Sequence, residues 1–105
     1  MLVHRIEIVT GGAIEPPTLD GVSAYDEVTI ANQSGTGATV TYPAGANPFS
    51  DVSDGTSELL SHGAETTHTI SGDFDPTATY DLWVDLEGSL LEASPKIRIT
   101  GGEDD

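Results

Sequence analysis

Cysteine is absent from this chain, and only Arg5, Lys96 and Arg98 among its 105 residues carry a fixed positive charge. The first absence excludes disulfides, thiolate nucleophiles and cysteine metal sites. The second leaves eighteen carboxylates almost unopposed, for a formal net charge of −15. Nucleic acid, anionic membranes and phosphate-rich substrates are held through positive charge, so none of them is an expected partner. Long apolar runs are missing as well. No stretch approaches the ~20 residues of a membrane span, and Met1–Ile8 alternates instead of forming a signal-peptide core. The expectation is a soluble protein, intracellular or released as part of an assembly.

What is present is strand-forming. Thirteen threonines accompany many valines and isoleucines, and the apolar positions recur at period two. Leu2, His4, Ile6 and Ile8 share a face against Arg5 and Glu7. Val28 and Ile30 alternate with Glu27 and Thr29, and Ala38, Val40 and Tyr42 with Thr39 and Thr41. Thr66, His68 and Ile70 form another inward set. The longest set is Ala78, Tyr80, Leu82, Val84 and Leu86, followed by Ile97 and Ile99. Glu15-Pro16-Pro17 marks an irregular crossing or edge, and Gln33–Gly37 and His62-Gly63-Ala64 mark turns. Asn47 as cap, Pro48 at the first helical position and Gly55 beyond predict a short helical turn near 48–54. The whole predicts one all-β domain over 1–100, an antiparallel Greek-key β-sandwich of seven to eight strands. An acidic disordered tail is expected at 101–105.

Asp26-Glu27-Val28-Thr29-Ile30-Ala31-Asn32 resembles the G-D-x-V-x-F-x-N strand of the cupredoxins, the blue-copper β-sandwich family. Leu60-Ser61-His62-Gly63-Ala64-Glu65-Thr66 resembles their L-x-P-G-E-T turn, with His62 in the proline's place. Tyr80-Asp81-Leu82 followed by Lys96-Ile97-Arg98-Ile99 resembles their closing strands. An immunoglobulin-like sandwich is a close rival. The resemblance implies the fold and not the metal. Blue copper needs two imidazoles, a thiolate and a weak axial thioether. The closing loop from Leu86 to Pro95 has no Cys, His or Met, and Met1 is the sole methionine. No cofactor is expected.

Other candidate sites are sparse. His4 and His68 lie on inward faces and are positioned to meet as a two-histidine site, but a partly buried structural histidine accounts for each. Asp51, Asp54 and Glu58 fall in the longest irregular segment and are a weak candidate site for a hard cation, with Asp73 and Asp75 in another turn. Their spacing does not match a calcium loop. No nucleophile motif is present. Trp83 stands out because parity places it outward, between Asp81 and Asp85 and beside Lys96 and Arg98. Arg98 is expected to stack on the indole while the aspartates pair with both cations. Arg5, Trp83, Lys96 and Arg98 form the expected interaction surface.

The expected function is a non-enzymatic structural or accessory module acting by protein–protein contact, with a protein partner or as a homo-oligomer. The alternative is a small-ligand or divalent-cation-binding module of cupredoxin-like descent that uses the 43–58 loop. The acidity fits a protein adapted to high salt, and it equally fits an ordinary acidic protein. Carboxylate repulsion opposes compaction and salt screens it, so the melting temperature is expected to rise between low-salt buffer and molar KCl. An unchanged melting temperature would count against halophilic adaptation.

Overall fold

Alternating side chains become two facing layers in the computed structural model, which describes residues 1–87 and 95–101. The expectations for the closing loop at 88–94 and the tail at 102–105 lie outside those residues. Among the described residues nine strands are formed: β1 (Val3–Val9), β2 (Ile14–Glu15), β3 (Thr18–Leu19), β4 (Glu27–Gln33), β5 (Ala38–Tyr42), β6 (Thr56–Leu60), β7 (Glu65–Thr69), β8 (Thr79–Leu86) and β9 (Lys96–Thr100). One sheet has the order β2-β1-β4-β7 and the other β3-β9-β8-β5-β6. The fold is an all-β sandwich.

The core lies between the layers. Ile6, Ile8, Val28 and Ile30 from the first sheet meet Val40, Leu82, Val84, Ile97 and Ile99 from the second, all without solvent exposure. Each such side chain contributes about 1.5–3 kcal/mol relative to exposure. Leu2 departs from its expected inward position and is 61% exposed. It precedes β1, and its backbone amide is drawn instead to the Asp26 carboxylate at 3.0 Å.

Strand direction departs from the antiparallel expectation in two places. β1 and β4 pair in parallel from Val3↔Glu27 to Val9↔Gln33, and β3 pairs in parallel with β9. Alternation reports which face a residue occupies and is silent on the direction of its neighbour. The cause is the crossing at Pro16-Pro17. After β2 folds back along β1, the prolines carry the chain to the edge of the other sheet as β3. It then returns to lay β4 beside β1 in the same direction. Both short strands lie at sheet edges, where a missing proline N–H costs no ladder bond.

The predicted helical turn at 48–54 does not form. Asn47 does use its side chain in a cap-like way, accepting the Phe49 amide at 3.1 Å. The following backbone is taken by the neighbouring sheet instead. Phe49 bridges Ile70, and the Ser50 amide donates to the Thr69 carbonyl at 2.9 Å. Asn47 Nδ2 donates to the Val52 carbonyl at 2.7 Å and closes the segment as a loop. The short 3-10 turn that does occur, Thr10–Gly12, joins β1 to β2; the paired glycines there signalled only a strand end.

Candidate functional site

The three histidines go to three separate places. His4 on β1 and His68 on β7 stand opposite the same β4 residue, Val28, from either side. They are therefore two strand spacings apart, about 10 Å, and do not meet. His4 Nε2 lies 2.9 Å from Asp26 Oδ2, at the start of β4. His62, in the β6–β7 turn, accepts the Gly35 amide on Nδ1 at 3.0 Å, beyond the other end of β4. A seven-residue strand places these ends about 20 Å apart.

Two polar clusters secure the ends of β4. Asp26, only 3% exposed, accepts the Leu2 amide at 3.0 Å and the Ser23 amide at 3.0 Å besides the His4 contact. Burial pushes its carboxyl up, but these bonds outweigh it and hold the group below the usual aspartate value. At the far end the fully buried Asn32 satisfies all of its side-chain valences. Its Nδ2 donates to the carbonyls of Thr36 at 2.7 Å and Leu60 at 2.8 Å, and its Oδ1 accepts the Ser34 amide and hydroxyl at 3.0 and 2.7 Å. These are the first and last residues of the strand motif singled out in the sequence, and both serve the fold.

The weak cation candidate is split: Asp51 and Glu58 flank His68 at 3.4 and 3.0 Å, and Asp54 does not join them. Asp54 accepts Asn47 Nδ2 at 3.1 Å. Asp51 accepts the Thr69 amide at 3.2 Å, and Asp75 accepts the amide and hydroxyl of Thr77 at 2.9 and 2.7 Å. Glu58 is the most fully bonded of them. It pairs across the sheet with inward Val40 and so enters the opening between β6 and β7, at one side of the sandwich. There it accepts Tyr42 Oη at 2.8 Å, Thr66 Oγ1 at 2.9 Å and His68 Nε2 at 3.0 Å. Burial raises its carboxyl, and the bonds from His68, Tyr42 and Thr66 bring it below the usual glutamate value. Burial and the neighbouring carboxylate push the Tyr42 phenol far up. A cleft of about 260 Å³ opens beside this network, lined by Asp51, Val52, Ser53 and Thr56 among others. Sequence reasoning missed the network. The available signal was parity: a glutamate two residues from buried Leu60 occupies an inward position and requires donors.

The expected interaction surface divides between the layers. Arg5 projects from β1 on the four-stranded sheet and is held by Glu7 at 3.0 Å and Glu65 at 2.9 Å. Trp83, Lys96 and Arg98 project from the outer face of the other sheet. Arg98 is not over the indole. The antiparallel register sets it opposite Asp81, where Nε and Nη2 bond the carboxylate at 3.0 and 3.3 Å. Lys96 stands opposite Trp83, and its Nζ lies 4.5 Å from the ring centroid. The indole remains 40% exposed. In its row lie Thr41 on β5 and Ser57 on β6. The adjacent row carries Asp85, Thr39 and Leu59, the last 71% exposed.

With this geometry in hand, the chain superposes on solved structures of copper proteins. Against the reduced Cu(I) form of an amicyanin mutant it gives a TM-score of 0.61 at 18% identity, covering 92% of this chain and 81% of that one. A second amicyanin mutant in the Cu(I) form gives 0.60 at 18% identity, with the same coverage. A purple cupredoxin from Nitrosopumilus maritimus gives 0.61 at 13% identity, covering 92% of this chain and 99% of that one. The fold is cupredoxin-like. No protein-family model matches the chain, and no curated protein matches it.

The residues present do not fit the copper of those neighbours. A blue-copper set needs a thiolate and two convergent imidazoles. This chain has no cysteine, and its histidines are bound separately to Asp26, Gly35 and Glu58. Its methionine is the 80% exposed Met1. Among the described residues no three His, Asp or Glu side chains are arranged to hold a metal ion.

Proposed function

We propose that this domain is a copper-free cupredoxin-like module that works by protein–protein contact and not by catalysis, through the outer face of the β3-β9-β8-β5-β6 sheet. The observation that carries this reading is a balance of charge at the strand positions of that face. Strand positions on that face present Lys96 and Arg98 against Asp81 and Asp85. The outer face of the other sheet presents Arg5 against Glu7, Glu15, Glu27 and Glu65. Asp20, bonded to Thr100, and Glu87, beside Leu59, border the face, so on a chain of formal charge −15 it is a less acidic face where another acidic body meets less repulsion. It also carries exposed Trp83 and Leu59, and tryptophan at the centre of a contact supplies large apolar area with few rotamers to fix.

The simplest partner for such a face is a second copy in a two-fold arrangement. Long-range repulsion between the copies opposes this contact and salt screens it. Light scattering should therefore show a dimer that strengthens from dilute buffer to molar KCl, with Trp83→Ala remaining monomeric in both. Loss of the Trp83 side chain should cost the monomer no more than about 1 kcal/mol, because the Lys96 contact is exposed. A monomer in both conditions would remove the self-contact reading. Association that weakens with salt would instead point to a basic partner surface.

A further inference from the structure

The ring of His68 stands between two carboxylates supplied by different parts of the chain, and a count of protons fixes which nitrogen faces which. The Tyr42 hydroxyl gives its hydrogen to Glu58 Oε1 at 2.8 Å, and the Thr66 hydroxyl gives its own to Glu58 Oε2 at 2.9 Å. The Thr66 oxygen can then only accept in its 3.0 Å contact with His68 Nε2. Nε2 therefore carries a hydrogen, shared between Thr66 and Glu58 Oε1. The nitrogen left to gain or lose a proton is Nδ1, which faces Asp51 Oδ1 at 3.4 Å. Without a proton, two lone pairs oppose each other there. With one, the contact becomes a charge-assisted hydrogen bond.

Asp51 belongs to the 43–55 segment that was expected to be partly helical. That segment is tied to the end of β7 and the residues following it by few bonds. These are the Phe49–Ile70 bridge, the Ser50 amide and hydroxyl to the Thr69 carbonyl, the Ser71 amide to the Pro48 carbonyl, and the Thr69 amide to Asp51. The groups facing the ring are Glu58 from β6, Asp51 from the segment, the Tyr42 phenol from β5 at 5.5 Å and the Phe49 ring at 5.5 Å. Thr66 faces it from β7 itself, and β4 contributes only apolar Val28. No cation opposes protonation from any of these elements.

We propose that a proton on His68 Nδ1 latches the 43–55 segment onto β7 through Asp51, and that its loss with rising pH loosens the segment over the cleft beside Glu58. A histidine ordinarily changes charge between about pH 5 and 8, so the latch is closed on the acidic side of that change and open on the basic side. It stands on the Asp51–His68–Glu58 geometry and does not depend on the outer-face contact.

Ring nitrogen NMR shifts read together with amide-exchange protection at Ser50 and Thr69 test this. In the wild type, protection factors at both amides should fall about five- to tenfold between about pH 5.5 and about pH 8, in step with the change in the His68 ring nitrogen shifts. The neutral ring should be the Nε2–H tautomer. In Asp51→Asn the Ser50 step should vanish while the His4 and His62 shifts stay as in the wild type. Asp51 is 46% exposed, so this variant should fold even if His68→Gln does not. Equal protection at the two pH values, a step that persists in Asp51→Asn, or a neutral Nδ1–H tautomer would each overturn the latch.

Discussion

Replacing Asn32 with alanine is expected to cost about 3–4 kcal/mol and to lower the melting temperature by roughly 15 °C. The side chain is fully buried and makes four hydrogen bonds, two donated and two accepted. Truncation leaves the Leu60 and Thr36 carbonyls without these donors and the Ser34 amide without its acceptor, where water has little access. Unsatisfied buried groups, more than the bonds themselves, set the size of the loss. Ser34→Ala removes one hydroxyl from the same cluster and should cost about 1 kcal/mol. Chemical denaturation of both variants checks the ranking. An Asn32→Ala cost below that of Ser34→Ala would show that the turn from Ser34 to Gly37 is not anchored there.

The second large effect is expected at the opposite end of the same strand. Asp26→Asn should destabilise by about 2–3 kcal/mol at neutral pH, because a charged acceptor of the Leu2 and Ser23 amides becomes a neutral amide with donors of its own. The pH dependence follows from the depressed carboxyl. The unfolded group titrates near 3.9 and the folded group lower, so the ionised form stabilises fully above about pH 4. That contribution is lost as pH falls through the folded value. The difference between wild type and Asp26→Asn should therefore shrink as pH falls from about 4 through the folded value. A difference that grows over that acid range would contradict the assignment.

Period two located the core because a half-buried strand alternates for a physical reason. Ile6, Ile8, Val28, Ile30, Val40, Leu82, Val84, Ile97 and Ile99 are inward as expected. The same alternation says nothing about direction or sheet membership. β1 and β9, the first and last strands, therefore seemed able to share Arg5 with Trp83, yet they lie in different layers. Asn47-Pro48 carried a sound helix-start signal, and its cap bond exists. The segment bends because the Ile70 and Thr69 backbone offers Phe49 and Ser50 partners from outside it. Parity, which points both outward on neighbouring strands, assigns Arg98 to the indole. Register decides such contacts residue by residue, and it gave Trp83 to Lys96.

The site was least legible where it depends on two distant segments. Glu58, Thr66 and His68 lie on sequential strands, yet their network forms only because β6 and β7 border the same side of the sandwich in different sheets. Tyr42 completes it from β5. The charge balance at the strand positions of the outer face also emerged only from pairing, since the cations of β9 and the aspartates of β8 lie far apart along the chain.

Because Trp83 is the only tryptophan, its accessibility reports directly on whether that face is used. Acrylamide quenching of the indole, followed as the wild-type protein is concentrated in molar KCl, should fall as the face is covered, while a Leu59→Asp variant stays fully quenched. Quenching that remains unchanged while the protein assembles would place the contact elsewhere and contradict the central claim.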